Sequence, residues 1–244
     1  MTVPRLEIMS HDDHMVHTHR NVQGGTARAT VFGVSDGLVS NVALILGVAA
    51  ASVDESTVLL AGVSGLLAGA ASMAAGEYVS VKAHAELVER ELTIERTSIA
   101  EKPHLESQEL ANIYMARGVD AQHARAMAEA VHENPDIALE VHAREELGVD
   151  PGSVGDPFAA ASSSFLAFAV GAAIPLAPWI VSSGNRATIM SVVLGLVAAA
   201  TVGTVLAIFT ERSKIKTAAR QVGLAAAACG LTYAIGSVLG ATVV

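Results

Sequence analysis

"VFGVSDGLVSNVALILGVAAAS", residues 31–52, carries a single charged side chain, Asp36, in 22 residues. About 20 apolar residues suffice for a helix to cross roughly 30 Å of hydrocarbon. The stretch therefore predicts a membrane span. A carboxylate inside such a span is expensive, so Asp36 predicts a functional reason for its presence.

The rest of the chain has the matching composition. Of 244 residues, 52% are hydrophobic, only 16% are charged and 4% are aromatic. Soluble domains carry about 25% charged residues. Ala, Val, Leu and Gly dominate, as they do where membrane helices approach closely. The single Cys229 excludes an intrachain disulfide and a cysteine metal cluster, and its Ala-rich surroundings predict a small buried hydrophobe. The net charge of −9 does not suit a nucleic-acid partner.

Uncharged windows at residues 37–53, 57–76, 158–185, 187–210 and 221–244 predict five spans, at 30–53, 57–80, 159–182, 188–210 and 220–243. Residues 1–29 are polar and lack the apolar core of a signal peptide, so the first span is expected to act as its own insertion signal. With the N-terminus inside, 14 of the 15 basic residues fall on inner segments, and Arg186 is the exception. By the positive-inside rule this puts the N-terminus and the segment after span two in the cytosol, and the C-terminus on the far side. The chain then divides into a cytosolic His-rich segment (1–29), spans one and two (30–80), a cytosolic acidic helical metal-binding domain (81–157) and spans three to five (158–244).

Residues 81–157 hold 16 acidic and 7 basic side chains. Residues 78–100 contain neither Gly nor Pro and should extend span two as one helix. Pro103 suits the first turn of the next helix, which stops at Gly118; Asp120 suits an N-cap, and the last helix runs from Pro135 to Gly148. His84, Glu91 and Glu95 share a face of the first helix. Glu106 and Glu109 are spaced i, i+3, and His142 and Glu146 i, i+4. Like charges at these spacings repel unless a cation neutralises them, and oxygen with imidazole ligands suits a divalent metal. The same pattern also describes a solvated acidic face flanked by Arg90, Arg96 and Arg144. The N-terminal "HDDHMVHTHR", residues 11–20, is a second His-rich tract of the kind that binds metal, here at most an accessory site.

Within the membrane, Met73 and Glu77 lie one turn apart on span two, and no intramembrane Lys or Arg is available to pair Asp36 or Glu77. Ionisable groups so placed mark an ion or proton pathway, unless they merely reach water at the boundary. A thioether beside carboxylates suits a borderline metal such as Fe²⁺ better than Mg²⁺ or Ca²⁺. Gly65-x-x-x-Gly69 and Gly236-x-x-x-Gly240 permit close helix contact, and Pro175 and Pro178 should kink span three.

"FGVSDGLVSNVALILGVAAA", "AGAASMAAGEYVSVKAHAE", the acidic insert ending in "REELG", and "GAAIPLAPW" together resemble the vacuolar iron transporter (VIT) family. The resemblance implies a homodimer of five-span subunits that exports Fe²⁺, and often Mn²⁺, from the cytosol in exchange for protons. It implies no catalytic activity and no prosthetic group, the metal being cargo. It assigns Asp36 and Met73 to a translocation path at the dimer interface, and Glu95, Glu106, Glu109 and Glu146 to metal capture in the insert. One expected glutamate falls on Ser98, for which Glu91 or Glu101 can substitute, and a methionine-bearing position falls near His142. Plant relatives carry a glutamate at the position of Gly65, and Glu77 is its natural replacement.

Composition rich in Ala points to a bacterial plasma membrane. Two other readings stand beside transport. Glu101-x-x-His104 and Glu129-x-x-His132 have the spacing of a di-iron ferroxidase, ferritin-like in type, although Pro103 interrupts the first. A membrane-anchored scaffold is the other, and it leaves Asp36 and Glu77 unexplained.

Overall fold

A computed structural model describes residues 25–51 and 54–243. The elements are α1 (Gly25–Ala50), α2 (Glu55–Glu101), α3 (Pro103–Ala116), α4 (Ala121–His132), α5 (Pro135–Glu145), a 3₁₀ turn (Pro151–Ser153), α6 (Pro157–Leu176), α7 (Pro178–Val181), α8 (Gly184–Phe209) and α9 (Lys214–Val243). Among the described residues there is no strand. Among the described residues five helices, α1, α2, α6, α8 and α9, are long and apolar enough to cross a bilayer. The protein is an all-α membrane protein. The N-terminal histidine tract lies outside the described residues.

Missing side chains bring the spanning helices together. A Cβ on Gly37 would fall 2.2 Å from the Phe168 carbonyl oxygen, and one on Gly171 2.1 Å from that of Val34. Each glycine thus admits the other helix's backbone, and α1 packs more extensively on α6 than on any other element. Gly236 and Gly240 do the same for α9 against α1, at Gly47 and Ala51. Gly69 of the other small-residue motif meets the Phe168 ring instead. α1 is therefore the central helix, in contact with α2, α6, α8 and α9.

Two local expectations are sharpened and one needs correction. α1 starts at Gly25 and α9 at Lys214, several residues before the uncharged windows. Charge marks the edge of hydrocarbon, whereas a helix continues into water while its backbone bonds hold. Span three is interrupted between its prolines, α6 ending at Leu176 and α7 beginning at Pro178, while Ala177 keeps helical dihedrals (φ −52°, ψ −41°) and its N–H bonds to the Ala173 carbonyl. The Pro175 carbonyl accepts a hydrogen bond from Ser191 Oγ of α8 at 2.6 Å. Cys229 is half-exposed rather than buried.

α2 runs unbroken for 47 residues, about 70 Å at 1.5 Å per residue. Its distal end carries α3, α4 and α5. Caps fix their limits. The Asp120 side chain accepts from the His123 N–H, Asn134 accepts from Asp136 and Ile137, and prolines open α3 and α5. Gly118 and Gly148 end α3 and α5 at φ +95° and +66°, where a side chain is disfavoured. Ile99, Ala138 and Leu139 form one small core, and Leu110, Ala111 and Ala128 a second, with Val131 packed against both.

Candidate metal sites in the membrane and in the insert

The first site lies among the spanning helices. Asp36, Ser40, Asn41 and Leu44 of α1, Gly65, Gly69, Ser72 and Met73 of α2, and Phe168 of α6 line a cavity of about 360 Å³. Asp36 and Met73, from two different spans, thus meet at one space. Met73 packs beside Ala70, Phe168 and Ala172, which fixes that end of the cavity. Asp36 is exposed on the isolated chain, and so are Ser40 and Ser72. Glu77 is half-buried one turn further along α2 and is not among the lining residues. The donor set is mixed: a carboxylate, hydroxyls, an amide and a thioether.

The second site is carboxylate-rich. His142 of α5 is fully buried. Its Nδ1 lies 2.5 Å from Glu146 Oε1 and 3.0 Å from Glu95 Oε1 of α2. One ligand atom from each of these three residues lies within 4.8 Å of the others. Its Nε2 lies 3.3 Å from His132 Nε2 of α4, and His132 Nδ1 lies 2.9 Å from the Ala128 carbonyl oxygen. A carbonyl only accepts, so His132 Nδ1 carries the hydrogen of that bond and its Nε2 is left to accept from His142 Nε2–H. His142 Nδ1 then faces two carboxylate oxygens, and a proton or a metal ion belongs among the three. Glu95 Oε1 is buried and takes no hydrogen bond.

Electrostatics agree with an unfilled demand for positive charge. Burial, together with the charges of Glu109 and Glu106, pushes the Glu146 carboxyl up to about 7. Burial also raises Glu95, with Glu146 adding to the effect and His142 opposing it. Nearby cations are engaged elsewhere. Arg90 pairs with Glu91 at 2.9 Å, Arg144 with Glu140 at 2.6 Å, Lys82 with Glu86 at 3.3 Å, and Arg117 with Glu145. Among the described residues no Lys or Arg is paired with Glu95, Glu106, Glu109 or Glu146.

Of the insert residues singled out from sequence, Glu95, His142 and Glu146 converge and Glu106 and Glu109 act on them through space. Glu91 is held by Arg90, and His84 is exposed outside the group. Neither Glu-x-x-His pair assembles a ligand cluster among the described residues; Glu101 and His104 are exposed, and only His132 reaches the site. Two further residues take part: His132 shows in the sequence only as half of a Glu-x-x-His spacing, and Asn41 carries no charge to mark it within an apolar window.

The profile of the VIT family matches residues 27–237. The chain is 32% identical over 228 residues to vacuolar iron transporter 2 of Oryza sativa subsp. japonica, covering 91% of this chain and 93% of that one. It is 31% identical to vacuolar iron transporter 1 of Arabidopsis thaliana, covering 93% and 91%. It is 39% identical over 160 residues to the vacuolar iron transporter of Acanthamoeba castellanii, covering 65% and 58%.

Proposed function

This chain belongs to the VIT family, and from that premise we propose that it transports Fe²⁺, and Mn²⁺ as the chemically similar ion, out of the cytosol in exchange for protons. The observation that carries the reading is the meeting of Asp36 and Met73 at one cavity between spanning helices. A hard carboxylate with a soft thioether suits a borderline divalent ion better than Mg²⁺ or Ca²⁺. The acidic insert concentrates the ion by attraction and holds it at Glu95, His142 and Glu146, with Glu106 and Glu109 completing the field. From there the ion passes to the cavity. Protonation of the ligands releases it, because they must be deprotonated to bind metal. Glu77, one turn beyond Met73, carries a proton or receives the ion next to the cavity.

Topology follows from charge. With 14 of 15 basic residues on one side, the insert and N-terminus are cytosolic, the C-terminus is on the far side, and transport runs outward from the insert. The exposure of Asp36 argues for a homodimer, since a carboxylate facing lipid costs roughly 2.5–3.5 kcal/mol or more. A second copy laid over this face covers the carboxylate and completes the path. Composition rich in Ala supports a bacterial plasma membrane as the site of action.

The test is a metal panel in proteoliposomes with an imposed pH gradient. Fe²⁺ and Mn²⁺ should accumulate on the acidic side and dissipate the gradient, while Mg²⁺ and Ca²⁺ do neither. Metal movement that ignores the gradient would reject proton exchange.

A further inference from the structure

We infer that Asn41 presents its side-chain amide oxygen as a neutral ligand for the divalent cation, or for a water of its shell, in the membrane cavity; the inference rests on the transport reading above. Asn41 lies on α1 five residues after Asp36, is 2% exposed, and lines the cavity with Asp36 and Met73. Its Nδ2 donates to the Ala172 carbonyl oxygen of α6 at 2.8 Å. That bond fixes which end of the amide points where, because the reversed orientation would set two carbonyl oxygens against each other. The other end, Oδ1, is buried and accepts no hydrogen bond.

A buried acceptor left without a hydrogen bond is destabilising, so it needs a partner that arrives. Gly65 shows where this oxygen faces. A Cβ at that position would stand 3.0 Å from Asn41 Oδ1 and 2.5 Å from Leu44 Cδ2. The glycine therefore keeps this side of the cavity clear, and Gly65 itself lines the space. An amide oxygen is a hard neutral donor of the kind that replaces hydration around divalent ions. With Asp36 and Met73 it supplies three different ligand chemistries while adding no charge to the membrane interior.

Asn41→Leu and Asn41→Asp separate this role from a structural one. Leucine keeps the bulk and removes both polar atoms. Aspartic acid keeps an oxygen toward the cavity and, when protonated, a hydroxyl that can donate to the Ala172 carbonyl in place of the amide. The measurement is the initial rate of Fe²⁺ uptake against concentration in proteoliposomes of the full chain, with Asp36→Ala alongside. Asn41→Leu should raise KM about tenfold, the effect of one lost ligand worth ~1.4 kcal/mol, with the maximal rate within about twofold of the parent; Asn41→Asp should leave KM no higher than the parent's. A parental KM in Asn41→Leu, or equal impairment of both variants, overturns the inference. If Asn41→Leu does not fold, Asn41→Asp decides: a KM no higher than the parent's supports the ligand oxygen, and a raised one overturns it. An inactive Asp36→Ala beside a parental Asn41→Leu removes only the role of Asn41, whereas an active Asp36→Ala removes the transport path and this inference together.

Discussion

The membrane cavity and the insert cluster share one helix, α2, with Met73 and Glu95 about 33 Å apart along it at 1.5 Å per residue. On the function proposed above, they meet the same kind of ion with opposite designs. The cavity offers one carboxylate, hydroxyls, an amide and a thioether, in a place where each extra charge is expensive. The insert sets Glu95 and Glu146 against a buried histidine and adds the charges of Glu106 and Glu109, in a place where water screens part of the repulsion. A site that collects an ion gains from excess charge, and a site that must let it go does not. The difference in ligand chemistry thus follows from the two environments.

The comparison breaks first at Asp36. Asp36→Ala should reduce Fe²⁺ transport to background, while titration of the same protein shows metal binding by the insert within about twofold of the parent, since the two sites are too far apart to couple directly. Loss of both properties together would mean that they are not separate sites.

The converse substitution is next in size. Glu95→Gln with Glu146→Gln removes two ligands, and each should lower the affinity of the insert roughly tenfold, ~1.4 kcal/mol apiece. Transport at saturating metal should remain within about twofold of the parent. A collapse of the maximal rate would make the insert part of the conduction step itself.

A pH titration sharpens the contrast further. The Glu146 carboxyl stands at about 7 in the folded protein against an ordinary 4.5. Its contribution to metal-free stability is therefore present below pH 4.5 and is lost as pH rises through about 7. Metal binding requires the ionised form, so affinity should fall roughly tenfold per pH unit below 7 while the metal-free insert becomes more stable. Calorimetry between pH 8 and 5 measures both. Glu146→Gln should flatten the stability change, and an unchanged slope would place the titration elsewhere.

The smallest expected effect belongs to Glu91. Its carboxylate is held by Arg90 at 2.9 Å, so Glu91→Gln should change the metal affinity of the insert by less than about twofold, the range of an exposed ion pair. A tenfold loss would bring Glu91 into the ligand set.

Much of this was legible in the chain because the signals are local. The absence of Gly and Pro from residues 78–100 gives the continuous α2. Pro103, Gly118, Asp120, Pro135 and Gly148 mark the insert helices through capping and backbone preference alone. Asp36 and Met73 stood out because a charge and a sulfur are rare in small apolar spans. What stayed hidden depends on contacts between distant segments. The partner of the Pro175 carbonyl is Ser191, on a different span. The tie of His132 to His142 needs α4 packed beside α5. Asn41 carries no charge, so nothing in the sequence revealed that one end of its amide would be anchored on α6 and the other left free.

X-ray absorption at the iron edge tests the central claim most directly. It should be recorded on Fe²⁺-loaded protein carrying Glu95→Gln and Glu146→Gln, so that the membrane cavity dominates the signal. A sulfur scatterer bound to iron, absent when Met73→Leu is added, is the predicted result. An iron surrounded by oxygen and nitrogen alone, unchanged by Met73→Leu, would contradict it.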